Sequence, residues 1–144
     1  MKIKGKLYGI ILLFITLTGF AQMPIFKRYY IADIPGLGWL AEFYVIHSLH
    51  YILASALLCL AGYSVAGFLL SKRGLSSLTF WGGVKTWLIL GLVVSGGLMV
   101  VRNLPGIYFS HVAIYLMNLS HLGFCVALLM VSGFTRAAGK PWVR

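Results

Sequence analysis

Apolar residues run through this chain in four long blocks, separated by short polar stretches that hold most of its charge. The blocks fall at about 7–26, 41–70, 83–101 and 107–134. An α-helix needs roughly 20 mostly apolar residues to cross hydrocarbon, and each block approaches or exceeds that length. The second contains no Lys or Arg. No polar stretch between blocks exceeds about 18 residues, so there is no room for a second domain. The chain reads as a single integral membrane domain over 1–144, without an internal repeat or a low-complexity segment. The turn Arg102-Asn103-Leu104-Pro105-Gly106 is short enough to force an antiparallel hairpin between the third and fourth spans. The expected fold is all-α, a transmembrane up-down four-helix bundle.

Composition agrees with that pattern. Of 144 residues, 60% are hydrophobic and only 10% charged, too few polar side chains to coat a water-soluble domain. Twelve Lys and Arg stand against two Asp and Glu, a net charge of +10. In a soluble chain that excess would suggest nucleic acid; here the topology absorbs it. With the N-terminus inside, the inner side carries Lys2, Lys4, Lys6, Lys72, Arg73, Lys85, Arg136, Lys140 and Arg144. The outer side carries Lys27, Arg28 and Arg102. Nine against three follows the positive-inside rule, with both termini cytoplasmic and lipid headgroups as partners of the basic side chains. Such a chain belongs in a bacterial-type inner membrane, and nucleic-acid binding is not expected.

The first block has two readings. Lys2, Lys4 and Lys6, an apolar run, then Gly19-Phe20-Ala21 fit a secretory signal cleaved after Ala21. They also fit a retained first helix, which is the reading taken here. Cys59 and Cys125 lie in apolar runs, with no CxxC, zinc spacing or CxxCH, and read as buried small hydrophobes.

All four histidines, His47, His50, His111 and His121, fall inside apolar blocks, two on the second and two on the fourth. Ionisable residues in a membrane helix are costly and usually face a bundle interior or polar cavity. At 1.5 Å per residue, with helices starting near 41 and 107, His47 and His111 lie roughly one and a half turns inside. His50 is a turn deeper, and His121 is about 15 Å below His111. A cross-helix pair at similar depth is what a bis-histidine haem b iron requires. Ala54, Ala61, Gly91, Ser95, Gly96 and Gly97 would leave room for a porphyrin or, alternatively, allow close helix packing. Asn118 could bond an imidazole, a haem edge or a backbone carbonyl, and Arg102 suits a propionate. Lys85 would snorkel to the headgroups or meet a quinone. Asp33 and Glu42 could take protons from a quinol, and Glu42 equally suits the N-terminus of the second helix.

The second block (FYVIHSLHYILASALL) and the fourth (HVAIYLMNLSHLGF) resemble the small cytochrome b subunits of respiratory membrane complexes. In layout the chain is similar to the gamma subunits of formate dehydrogenases and to hydrogenase cytochromes b. The resemblance implies two ligands from the fourth helix, at His111 and His121, and one from the second, at His47 or His50. The family takes a further ligand from its first helix, which has no histidine here, so one or two haems b are implied. It also implies electron transfer between menaquinone or ubiquinone and a partner subunit carrying iron–sulfur, molybdenum, nickel–iron or c-type haem centres. That partner is expected on the periplasmic face, against loop 23–40 and the 102–106 turn. The competing reading is a haem-free anchor or assembly subunit, or a proton-relay carrier with packed histidines. No nucleophile–base–acid set, phosphate loop or zinc motif points to an independent hydrolase or transferase.

Overall fold

A computed structural model describes residues 2–23, 25–70 and 77–143, with the backbone alone at 2–5 and 25. It is all-helical: α1 (Lys2–Ala21), α2 (Ile25–Arg28), α3 (Phe43–Leu70), α4 (Phe80–Val101) and α5 (His111–Ala137). Two 3-10 turns, Ile31–Asp33 and Gly38–Ala41, lie between α2 and α3. Among the described residues the only extended pairing is an isolated antiparallel bridge between Leu78 and Val143. Helices α3, α4 and α5 are each long and apolar enough to cross a membrane, whereas the apolar part of α1, Lys6–Ala21, is shorter. Of the basic residues assigned to the inner side, Lys72, Arg73 and Arg144 lie outside the described residues, as do the side chains of Lys2 and Lys4.

The chain forms two compact units, Met1–Lys72 and Arg73–Arg144. In the first, α1 packs along α3; in the second, α4 packs along α5. Local chemistry sets the helix ends. Helix α1 stops at Ala21 instead of running on to 26: Met23 N–H turns back to the Phe20 carbonyl. The next residue is a proline, which has no N–H and disfavours helical backbone at its predecessor. Helix α4 starts earlier than its apolar block because the Thr79 hydroxyl caps it, accepting from Gly82 N–H at 3.0 Å. Helix α5 starts four residues later than expected, at His111, where Ser110 accepts from Ala113 N–H at 3.2 Å. His111 therefore opens its helix and does not lie one and a half turns inside it. The tail after α5 folds back within its unit: Thr79 donates its hydroxyl to the Pro141 carbonyl and its N–H to that of Trp142.

The two units share several local features. In each, a hydroxyl followed by glycine (Thr18-Gly19, Ser95-Gly96) sits on the first long helix. A Pro-Gly turn follows. Ile34-Pro35-Gly36-Leu37 is closed by Leu37 N–H to the Ile34 carbonyl, and Leu104-Pro105-Gly106-Ile107 by Ile107 N–H to the Leu104 carbonyl. Gly36 has φ +88° and Gly106 φ +81°, a conformation that favours glycine at the third turn position. Each second helix then carries a buried apolar residue four places before a histidine, Ile46 before His50 and Met117 before His121. Unequal loops disguised the correspondence: the hydroxyl and histidine are 32 residues apart in one unit and 26 in the other.

Packing within each hairpin is close and the outward faces are apolar. Leu13, Tyr63, Leu69, Trp87, Val112 and Met130 are all exposed, a distribution suited to lipid rather than water. Cys59 is exposed as well, contrary to its reading as a buried hydrophobe. At Gly91 an added Cβ would stand 2.9 Å from the Phe124 ring, so the glycine is what lets that ring approach α4. We expect Gly91→Leu to destabilise the α4 and α5 hairpin by about 1–3 kcal/mol through overpacking. Thermal unfolding in detergent measures this, and adding Phe124→Ala should recover part of the loss.

Candidate functional site

Three of the four histidines bond side chains of the neighbouring long helix or its end. His50 Nδ1 lies 3.1 Å from Thr18 Oγ1, and His121 Nδ1 lies 3.0 Å from Ser95 Oγ. Both hydroxyls are deep in their hairpins, with Thr18 1% and Ser95 5% exposed. Each also donates along its own helix, Thr18 to the Phe14 carbonyl at 2.9 Å and Ser95 to the Gly91 carbonyl at 2.7 Å. The glycine after each hydroxyl leaves space for the ring: a Cβ at Gly19 would be 3.3 Å from His50 Cε1, and one at Gly96 3.2 Å from His121 Cε1.

His47 sits one turn from His50 on α3, with its Nδ1 3.3 Å from Gln22 Oε1. Its ring stacks on Phe43, centroids 5.3 Å apart, and tilts against Tyr51 at 4.5 Å. His111 is exposed at the first position of α5, and Asn118 is exposed on the same helix. Arg102 is half-buried at the C-cap of α4, where its backbone N–H bonds the Leu98 carbonyl. Glu42 directly precedes α3, its carbonyl accepting from Ile46 N–H. His47 and His50 thus belong to the first unit, and His111 and His121 to the second. Among the described residues no three His, Cys, Asp or Glu side chains gather in one place.

The small residues of α4 divide by role. Gly91 and Gly96 make room for Phe124 and His121, while an added Cβ at Gly97 would meet no atom within 4 Å. Lys85 does not snorkel. It is only 7% exposed and turns into its hairpin, where Nζ donates to Thr135 Oγ1 at 3.0 Å and lies 4.9 Å from the Trp142 ring centre. Thr135 donates its own hydroxyl hydrogen bond to the Ser132 carbonyl, so its oxygen is available to the amine. The folded-back tail supplies the aromatic face that makes an inward lysine tolerable.

No protein-family model, curated protein or solved structure matches the chain. The assignment therefore rests on its own residues. Sequence reasoning selected the histidines but missed Thr18, Gly19 and Gln22, and gave Ser95 only a space-filling part. The signal that could have found Thr18 and Gly19 was a Thr/Ser-Gly pair occurring once on each first helix.

The Lys85 arrangement makes a stability prediction. Thr135→Val would leave a buried amine short of its acceptor and should cost about 1.5–3 kcal/mol. Lys85→Met, which removes the demand together with the donor, should cost less. Detergent-phase thermal unfolding of the two variants provides the comparison, and equal losses would contradict the assigned bond.

Proposed function

We propose that the chain is a haem b-carrying electron-transfer subunit of a respiratory membrane complex. It resembles in layout the small cytochrome b subunits of formate dehydrogenases and hydrogenases. In this reading it crosses a bacterial inner membrane four times as an up-down bundle, with both termini cytoplasmic. The observation that carries the reading is the pair of imidazoles, His50 and His121, each held by a buried hydroxyl in otherwise apolar surroundings.

Bound haem would supply a one-electron couple within the low-dielectric interior. The residues of the chain do the rest. His50 and His121 offer ring nitrogens, and His47 and His111 complete the set of imidazoles from which ligands are drawn. The half-buried Arg102 is a cationic partner for a propionate, with Asn118 a further polar contact. Asp33 and Glu42, the only carboxylates, are the proton acceptors available to a menaquinol or ubiquinol. A partner subunit with iron–sulfur, molybdenum, nickel–iron or c-type haem centres is part of the proposal.

The test is a reduced-minus-oxidised visible spectrum of the full chain, purified in detergent from cells supplied with haem and with its neighbouring subunits present. A b-type spectrum with one or two haems per chain is expected. A colourless protein would overturn the reading in favour of a haem-free anchor or proton-relay subunit, whose histidines serve interhelical bonding. Orientation is checked separately. A reporter active only in the periplasm, fused after position 144, should be silent, and activity there would reverse the topology.

A further inference from the structure

We infer that residues 139–143 form a strap that closes the second hairpin over the Lys85 amine, and that lifting this strap is what exposes the amine. All its parts belong to the unit Arg73–Arg144, and none depends on the haem reading.

The root of the strap is fixed by the end of α5. Gly139 takes φ +62°. Its N–H bonds the Arg136 carbonyl at 3.3 Å, and Lys140 N–H bonds the Thr135 carbonyl at 2.8 Å. This is the left-handed closure that ends many helices and turns the chain away. Beyond it the strap crosses to the start of α4, where Thr79 is the point of attachment. Thr79 N–H bonds the Trp142 carbonyl at 3.2 Å. Its hydroxyl lies 2.8 Å from the Pro141 carbonyl and 3.2 Å from that of Trp142. The bridge between Leu78 and Val143 extends the same contact. Gly82 lets the strap lie directly on the helix, since a Cβ there would run into the Trp142 carbonyl.

Thr135 serves both the root and the amine. Its carbonyl holds Lys140, and its hydroxyl oxygen accepts from Lys85 Nζ at 3.0 Å. The Trp142 ring covers the same nitrogen, 4.9 Å from the ring centre. Lys85 and Thr135 are only 7% and 2% exposed, whereas none of the strap's own side chains is buried. The strap is thus held by bonds that converge on one threonine, at an exposed surface, with no buried apolar anchor. Segments of that kind open at much lower cost than the helices beneath them. What this one uncovers is a donor in reserve. A lysine ammonium has three hydrogens to give, and Thr135 takes one. Closed, the strap keeps the amine for Thr135 and the Trp142 ring. Open, it presents the amine to acceptor oxygens from outside the hairpin.

Two adjacent glycines provide the test. Alanine is a better helix former than glycine, so Gly82→Ala and Gly83→Ala should both leave α4 intact. Only the first sets a Cβ against the strap; at Gly83 a Cβ would meet nothing within 4 Å. The full chain in detergent is treated with sulfosuccinimidyl acetate, a water-soluble amine reagent. Peptide mass spectrometry then locates the acetyl groups, with the exposed Lys27 as internal standard. In the unaltered chain Lys85 should react far more slowly than Lys27. Gly82→Ala should raise the Lys85 rate about tenfold, the change expected when one or two net hydrogen bonds are lost, and Gly83→Ala should not. Trp142→Ala, which removes the cover without altering α4, should raise it as well. Equal reactivity of Lys85 and Lys27 in the unaltered chain would overturn the closure. An unchanged Lys85 rate in both Gly82→Ala and Trp142→Ala, or an equal rise in Gly83→Ala, would assign the protection to the helices and overturn the strap. No haem signal is read, so either result leaves the haem proposal to its own test.

Discussion

A polar hydrogen enclosed between apolar helices has no water to bond, so it must be given to an acceptor within the chain. That constraint governs most of what is specific in this protein. Ser55, Ser64 and Thr86 meet it locally by donating to the carbonyl one turn back. Thr18 and Ser95 bond the carbonyl one turn back in the same way, and each also shares a hydrogen bond with an imidazole of the neighbouring helix. A helical back-bond that would otherwise only satisfy a hydroxyl becomes the means of orienting a ring. Among the described residues no buried side-chain nitrogen or oxygen is left without a partner.

Close approach is the second requirement. Hydrogen bonds between helices demand short separations, and apolar faces alone do not pull helices together in lipid. Glycines at 19, 91 and 96 admit His50, Phe124 and His121 respectively, while the large side chains point outward. The buried apolar core is correspondingly thin, with Ile46 and Met117 each one turn from the anchored histidine. Lys85 follows the same logic at the other end of its hairpin. Its donor is matched by Thr135 and its charge by the Trp142 ring, which the folded-back tail carries into place.

In the proposed reading as an electron-transfer subunit, the histidines of the hairpins are the source of ring nitrogens. The shared arrangement shows what the two units hold in common: hydroxyl, glycine, Pro-Gly turn and histidine. It also shows what differs, since His47 and its Gln22 partner belong to the first unit and the buried Lys85 to the second.

Much of the fold was legible along the chain. Uninterrupted apolar length is a local property, so the long helices, and the short Arg102–Gly106 turn that pairs the third and fourth spans, could be read directly. Ends were less certain, because caps such as Thr79 and Ser110 decide them by single hydrogen bonds. The histidines stood out because ionisable groups are rare in apolar runs. Their ranking did not, since spacing along one helix says nothing about which residue of another helix lies opposite. Sequence alone therefore determined a membrane-type, all-helical chain with four candidate imidazoles. Tertiary structure decided which of them meets a hydroxyl, and that Lys85 turns inward, because both depend on distances between residues far apart in the chain.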